Sequence, residues 1–181
     1  MSQLKVNSIV PVGGLPSGSN GGIIQIVSAS KTDTSSFFTA TGTTASLESI
    51  FPISITPSTS SAKVLIRFLL TVGLNTNATV TADLCRKIGS GSETIVIVGD
   101  ADGSRSRITF GSPTINAHNV STLNVEFIDS PATTSACKYY LKLGHMSGDS
   151  RDFFLNRSNV DSNDASYARG ISYATAMEVT V

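Results

Sequence analysis

The stretch AKVLIRFLLTV, residues 62–72, alternates between two kinds of side chain along its length. Large apolar residues occupy alternate positions: Val64, Ile66, Phe68, Leu70 and Val72. Polar residues occur on the other side: Lys63, Arg67 and Thr71. Because successive side chains of a β-strand point to opposite faces, this pattern predicts a strand with one face in an apolar core.

Other apolar runs lie on both sides of this stretch, separated by clusters of Ser, Thr, Asn, Asp and Gly that favour turns. They lie at residues 23–30, 51–55, 79–88, 93–100, 121–129, 135–144, 152–157 and 171–181. No segment repeats its apolar residues at the helical interval of about 3.6 residues. The sequence therefore predicts an all-β protein, an antiparallel jelly-roll-like β-sandwich over residues 23–181.

Two of these runs also predict how their side chains are divided between faces. In residues 135–144 the predicted inward side chains are Cys137, Tyr139, Leu141 and Leu143. In the last run, Tyr173 and Met177 share one side, and the small residues Ala174 and Ala176 share the other. The small side leaves two interpretations open: close contact with a neighbouring subunit, or an ordinary solvated face.

Charge is scarce and balanced in this 181-residue chain, with 13 Lys and Arg against 13 Asp and Glu. Much of the polar surface comes instead from 28 Ser and 20 Thr. Because there is no basic field, we expect no nucleic-acid partner. Without an apolar run of about 20 residues or a secretory signal, we expect no membrane insertion and synthesis in the cytoplasm. Cys85 and Cys137 lie in strand-like contexts, which favours buried free thiols over a disulfide.

No pattern in the sequence supports catalysis or metal binding. His118 and His145 lack the spacing of a zinc site, and residues 100–103, Asp-Ala-Asp-Gly, lack the later ligands of an EF-hand loop. No G-x-S-x-G nucleophile motif occurs. Five aspartates lie in turn-like contexts, where the side chain bonds nearby backbone: Asp129, Asp149, Asp152, Asp161 and Asp164. We therefore expect a protein that is not an enzyme and that has no catalytic residue, metal or cofactor.

The segment NRSNVDSNDASYARG, residues 156–170, is a long polar loop directly before the last predicted strand. Loops of this length in compact proteins are usually functional or mobile. Its aromatic, amide and guanidinium groups are typical of surfaces that contact carbohydrate or protein. The candidate contact residues are Arg157, Asn159, Asp161, Tyr167 and Arg169. The alternative is a turn stiffened by aspartate and asparagine hydrogen bonds.

Six stretches together resemble a known class of proteins. They are LKVNSIVPVGGLPSGSNGGIIQIV (4–27), KTDTSS (31–36), ISITPSTSSAKVLI (53–66), VGDADGSRSRITFG (98–111), FIDSPATTSACKYYLKLG (127–144) and FLNRSNVDSNDASYARGISYATAMEV (154–179). In these stretches the chain resembles virion fibre proteins of tailed bacteriophages, especially phages of aquatic bacteria such as cyanophages. The resemblance covers most of the chain as a pattern of strands and turns.

The resemblance implies a virion structural protein that is β-rich and often trimeric. Such proteins join the particle by an N-terminal segment and expose a distal globular part. Many carry a long shaft between the two, which this chain lacks, so a tail fibre, a neck or head fibre and a capsid decoration protein are all compatible. The implied partners are other copies of the chain, virion proteins of the tail, neck or capsid, and a host surface glycan or protein.

Residues 1–22 then have a physical interpretation as a virion-docking leader. They carry one charge, Lys5, and five glycines between Gly13 and Gly22, so ordering them costs entropy unless a partner holds them. The predicted docking residues are Leu4, Val6, Ile9, Val10 and Val12. The alternative is a disordered tail. The function we expect is a trimeric fibre or appendage component of a virion, and the alternative from another class is a carbohydrate-binding module.

Overall fold

The computed structural model describes residues 22–146 and 148–180, and all regular structure in that part of the chain is β-strand. The strands are β1 (Gly22–Lys31), β2 (Ser35–Thr39), β3 (Ala45–Ser46), β4 (Ile53–Ile55), β5 (Lys63–Leu74), β6 (Ala78–Ile88), β7 (Thr94–Ile97), β8 (Phe110–Ile115), β9 (Ser121–Asp129), β10 (Cys137–His145), β11 (Arg151–Leu155) and β12 (Ser172–Thr180). The predicted docking residues, Leu4 to Val12, lie outside the described residues, and their role stays a prediction.

The strands form two sheets in which every neighbouring pair is antiparallel. Sheet A has the order (β1/β2)–(β12/β11)–β5–β9, where each bracketed pair occupies one position end to end. Sheet B has the order (β3/β4)–β10–β6–(β7/β8). Taking each pair as one strand, this is the eight-stranded double-sheet order of a jelly roll. The predicted fold class is confirmed.

The core lies between the two sheets and is built from alternate residues of their strands. The five predicted inward side chains of β5 are all at most 1% exposed. Sheet B meets them with Leu84 of β6 and with Tyr139, Leu141 and Leu143 of β10, as predicted. Cys85 and Cys137 are buried free thiols, which confirms the interpretation of the two cysteines.

The last strand corrects both interpretations of its small face. Ala174 and Ala176 of β12 are at most 1% exposed and belong to the core, so they meet neither a subunit nor solvent. The large residues Tyr173 and Met177 point to the opposite, outer side. The physical reason is position: β12 lies beside β5, whose large inward side chains fill the space, and small neighbours keep the packing dense.

Three short strands were not predicted: β2, β3 and β8. Their sequences, SSFFT, AS and FGSPTI, contain the Ser, Gly and Pro that usually indicate turns. Each pairs at the side of a strand that was predicted, namely β11, β10 and β6. Tertiary pairing therefore overrides local propensity in these three cases.

Candidate assembly surface and surface loop

The outer face of sheet A carries an apolar row that crosses four strands. Ile26 of β1 pairs with Met177 of β12, Met177 pairs with Leu65 of β5, and Leu65 pairs with Ile128 of β9. Residues paired directly across antiparallel strands point to the same side, so the four side chains adjoin. Ile26 is 57% exposed and Ile128 is 52% exposed. We call these four residues the apolar row.

A single ion pair lies beside the apolar row. Arg67 of β5 and Glu126 of β9 are register partners, and Arg67 Nε lies 3.7 Å from Glu126 Oε2. Beyond this pair, Leu69 of β5 is paired with Tyr173, whose ring is 42% exposed. The apolar row is therefore flanked by the Arg67–Glu126 pair on one side and by Lys63, two residues before Leu65 on β5, on the other.

The outer face of sheet B is different because ion pairs run across it. Lys87 of β6 and Lys138 of β10 are register partners, and Glu48 lies between them, 2.6 Å from Lys87 Nζ and 3.5 Å from Lys138 Nζ. Farther along, Glu93 accepts hydrogen bonds from Lys142 Nζ at 2.8 Å and from the Tyr140 hydroxyl at 2.6 Å. We call these six residues the charged lattice.

The charged lattice also affects protonation. The hydrogen bond to Glu93 raises the pKa of Lys142. Burial, followed by the hydrogen bond to Glu93, raises the pKa of Tyr140. Burial raises the pKa of Cys85, which is paired with Tyr140, to about 12. This thiol therefore stays protonated and unreactive at neutral pH.

The loop of residues 156–170 is closed at its base. The Gly170 amide donates to the Asn156 carbonyl oxygen at 3.0 Å, and Asn156 has a positive φ of 64°. The buried Asn156 side chain donates to the carbonyl oxygens of Lys31 and Asp33, and it accepts a hydrogen bond from the Ser172 hydroxyl. The side chain thus joins the base of the loop to the end of β1 and the start of β12.

The first residues of the loop lie against the outer face of sheet A at the end away from the apolar row. Gly73 of β5 has no side chain on that face, and a Cβ there would lie 2.5 Å from the carbonyl oxygen of Arg157. The Arg157 guanidinium stacks on the Phe154 ring at 4.1 Å and donates to the Ser36 hydroxyl. The loop therefore covers one end of this face and leaves the other end bare.

The rest of the loop surrounds a polar cleft of about 480 Å³. The lining residues are Val160, Asp161, Ser162, Asn163, Asp164, Tyr167, Ala168 and Arg169. Arg169 binds Asp161 through both carboxylate oxygens, at 2.8 and 2.9 Å. Asp164 accepts a hydrogen bond from the Ser166 amide at 2.8 Å, which lowers the pKa of that carboxyl.

The five predicted contact residues separate into two groups. Asp161, Tyr167 and Arg169 come together at the cleft. Arg157 does not line the cleft, because its guanidinium is held by Phe154, Ser36 and the carbonyl oxygens of Ser158 and Asn159. Its Nε nevertheless lies 4.0 Å from Asp161 Oδ2. The hydrogen bonds that stiffen the loop are present, and a contact role for its exposed residues stays a prediction.

The apolar row was missed by the sequence analysis. Leu65 interrupts the polar side of residues 62–72, and that interruption was the available signal. The alignment of Leu65 with Ile26, Met177 and Ile128 depends on strand register, which the sequence does not show.

The described residues hold neither a metal-ligand cluster nor a membrane-spanning helix. Within residues 22–146 and 148–180, no group of three or more His, Cys, Asp and Glu is placed to hold a metal ion. In those same residues, no helix has the length and apolar character needed to cross a membrane. Asp129, interpreted from sequence as a turn residue, instead accepts a hydrogen bond from the Tyr139 hydroxyl at 2.7 Å and pairs with Arg86.

Comparisons with known proteins give likenesses only in three dimensions. No protein-family model matches the sequence, and no curated protein is similar to it. The structure of infectious bursal disease virus, Gt strain, aligns with a TM-score of 0.48 and 11% identity, covering 97% of this chain and 44% of that chain. The crystal structure of the infectious bursal disease virus VP2 subviral particle aligns with a TM-score of 0.43 and 12% identity, covering 94% and 44%.

This chain therefore spans less than half of each viral chain that it is similar to. TM-scores below 0.5 are too low to support a conclusion about this chain, so the jelly-roll assignment rests on the strand order of its two sheets.

Proposed function

We propose that this chain is a virion structural protein that assembles with copies of itself through the outer face of sheet A. The observation that carries assembly is the apolar row, which extends without interruption across four strands. Single exposed apolar residues are common on protein surfaces, whereas a contiguous apolar patch indicates a contact surface. Fully burying an aliphatic side chain contributes about 1.5 to 3 kcal/mol.

A second copy of the same chain suits this face because of its charges. Arg67 and Glu126 give each copy one group of either sign beside the apolar row, so in a ring of three copies Arg67 of one copy can pair with Glu126 of the next. The apolar row would then form the core of each contact, and the charged groups would form its rim. We propose a homotrimer, which is the state implied by the resemblance to phage fibre proteins.

The finer proposal is a fibre or appendage component of a tailed bacteriophage, placed on the tail, neck or head. Its support is the sequence resemblance and the position of residues 1–21, which directly precede β1 at the margin of sheet A. We propose that this leader adds to a sheet of another virion protein, with Leu4, Val6 and Ile9 as apolar contacts. A capsid decoration protein is the alternative within the same class.

Sedimentation velocity tests the assembly proposal. We expect the wild-type chain to sediment at three times its mass of 18.9 kDa. Ile128→Lys should sediment as a monomer, because a lysine at the centre of a buried contact loses its hydration. Ile95→Lys is the matched control, since Ile95 is 43% exposed on β7 of sheet B. A wild-type monomer at all concentrations, or an unchanged Ile128→Lys oligomer, would refute the proposal.

A virion role is tested separately by mass spectrometry of particles purified from infected host cells. We expect the full-length chain in the particles, and a chain that lacks residues 1–22 should fold and oligomerise without joining them. A free carbohydrate-binding module would bind glycan and be absent from particles. Incorporation of the shortened chain at the normal level would show that the leader is not the attachment point.

A further inference from the structure

We propose that the cleft within residues 160–169 binds a neutral carbohydrate. This inference rests on the proposed virion role and names the class of host surface ligand that the resemblance to phage fibre proteins implies. The cleft, at about 480 Å³, lies in the size range of small-molecule sites, which is roughly 300 to 1,000 Å³. Its lining combines carboxylate, amide and hydroxyl groups with one aromatic ring.

The charges of the lining argue against an anionic ligand. Two carboxylates, Asp161 and Asp164, line the cleft together with one guanidinium, that of Arg169. Both oxygens of Asp161 are already bound to that guanidinium, so the cation is neutralised within the cleft. The second guanidinium nearby, that of Arg157, lies 4.0 Å from Asp161 and is held by loop carbonyl oxygens and the Ser36 hydroxyl. A phosphate, sulfate or acidic sugar would therefore meet the carboxylate of Asp164, while both guanidinium groups already have partners.

The chemistry of the lining also argues against an apolar ligand. Only Val160, Ala168 and the Tyr167 ring offer carbon surface. A carboxylate has about four acceptor positions, so Asp164 keeps acceptor capacity for ligand hydroxyls beyond its bond to the Ser166 amide. A ligand with many hydroxyl donors and one flat carbon–hydrogen face matches this set, and a neutral sugar has both.

The cleft is held in shape before any ligand binds. The Asn156 carbonyl closes the base of the loop, and the Asp161–Arg169 pair holds its two sides together. The Tyr167 amide donates to the Asp164 carbonyl oxygen at 3.1 Å, which fixes the ring and the carboxylate relative to each other. Such pre-organisation lowers the entropy cost of binding.

Saturation-transfer NMR tests the proposal on the full chain in solution without particles. The probes are the methyl glycosides of glucose, galactose, mannose and N-acetylglucosamine, with sialic acid as the anionic comparison. We expect transfer to at least one neutral glycoside and none to sialic acid. Tyr167→Ala should abolish transfer, Tyr167→Phe should retain it, and Asp164→Asn should weaken binding at least tenfold.

Asp100→Asn is the matched control, because Asp100 also accepts a hydrogen bond from a nearby amide, that of Ala101, at 2.8 Å. It should leave transfer unchanged. The proposal is overturned if no neutral glycoside shows transfer, if Tyr167→Ala retains it, or if sialic acid is the preferred probe. None of these outcomes affects the assembly proposal, which is measured by sedimentation.

Discussion

The outer faces of the two sheets carry different kinds of side chain. Sheet B presents the charged lattice, in which Glu48 and Glu93 each pair with lysines from neighbouring strands. Sheet A presents the apolar row, with Lys63 on one side of Leu65 and the Arg67–Glu126 pair on the other. The inner faces of both sheets are mostly apolar, apart from the buried Arg86–Asp129 pair and Glu178, so this difference has no counterpart in the core.

The outer face of sheet B suits contact with water, whereas the apolar row of sheet A suits contact with another protein. An antiparallel sheet can face water when its outer side chains are mostly polar, as they are on sheet B where the charged lattice crosses β6 and β10. Ile95 on the edge strand β7 is an exposed apolar exception. The apolar row gains nothing for the isolated chain, since Ile26 and Ile128 remain more than half exposed. A surface that is unfavourable in the monomer becomes favourable when a second copy removes it from water. Sheet A is therefore the side that we expect to find buried in the assembled protein.

The variant with the largest expected effect tests whether a buried charge pair between the two sheets stabilises the fold. Asp129, at the end of β9 in sheet A, pairs with Arg86 and accepts from Tyr139, both in sheet B. Asp129→Ala should lower the free energy of unfolding by about 3 kcal/mol, because it leaves the largely buried Arg86 without its carboxylate partner. Urea denaturation measures the loss.

Tyr139→Phe is the companion variant for this cross-sheet contact. It removes one hydrogen bond and keeps the charge pair, so the loss should be about 1 to 2 kcal/mol. Equal losses for Asp129→Ala and Tyr139→Phe would mean that the charge pair contributes nothing beyond the tyrosine hydrogen bond. An unchanged midpoint for Asp129→Ala would show that the sheets are held by apolar packing alone.

The next effect concerns the covered end of sheet A. Gly73→Ala places a methyl group 2.5 Å from the Arg157 carbonyl oxygen, so the start of the loop must move. Relieving such a contact costs about 2 kcal/mol. The melting temperature should fall, and glycoside transfer at the cleft should weaken as the loop loses its support. Gly148→Ala is the control, because a Cβ there meets nothing within 4 Å.

Wild-type stability in Gly73→Ala would show that the loop is not packed on this face. If stability falls and glycoside binding is unchanged, the base of the loop and the cleft are independent of each other.

The sequence predicts those structural features that depend on the residue pattern within one continuous segment. The two-residue alternation of residues 62–72 predicted the buried side of β5, and the composition of residues 156–170 predicted a functional loop whose residues Asp161, Tyr167 and Arg169 meet. Both features lie within a continuous stretch, and the functional role of the loop stays a prediction. Neighbouring residues in such a stretch stay close in any compact fold, so local pattern is enough.

The sequence does not predict those structural features that depend on the register between distant strands. Asp129 was interpreted as a turn residue because its partners, Arg86 and Tyr139, lie on other strands. The inward direction of the small residues of β12 could not be derived either, since the inward face carries the charged Glu178 and the outward face carries the larger apolar residues Tyr173 and Met177. In such a strand the alternation does not say which face is buried; the neighbours β1 and β5 determine it.

One carboxylate is buried inside the fold, unlike the partly exposed charged groups on the outer face of sheet B. Glu178 of β12 is fully buried, and it accepts hydrogen bonds from the Ser58 amide at 2.8 Å and from Gln25 Nε2 at 2.6 Å. Burial opposes ionisation most strongly, yet the hydrogen bonds from Ser58 and Gln25 together hold the pKa of Glu178 below its usual value of 4.5. Glu178 thereby fastens the connection between β4 of sheet B and β5 of sheet A.

Because the folded-state pKa of Glu178 is lowered, the unfolded chain takes up this proton first as the pH falls. The contribution of Glu178 is therefore complete above about pH 4.5 and is lost as the pH falls through the folded-state pKa. Glu178→Gln should lower stability by about 1.5 kcal/mol at pH 7, and the deficit should shrink in acid. Denaturation at pH 7 and pH 3 measures both values, and a constant deficit would contradict the assignment.

The smallest expected effect concerns the charged lattice, and it tests whether the outer face of sheet B stays exposed to solvent in the assembled protein. Glu93 joins Lys142 and the Tyr140 hydroxyl, and its side chain is 30% exposed. Glu93→Gln keeps the shape of the side chain and removes the charge, so stability should fall by only about 1 kcal/mol, because partly exposed pairs are screened by solvent. The loss should diminish in high salt. Sedimentation should be unchanged, since the lattice is expected to face solvent in the assembled protein. If Glu93→Gln dissociates the oligomer while Ile128→Lys does not, sheet B is the assembly surface and the apolar row has another use.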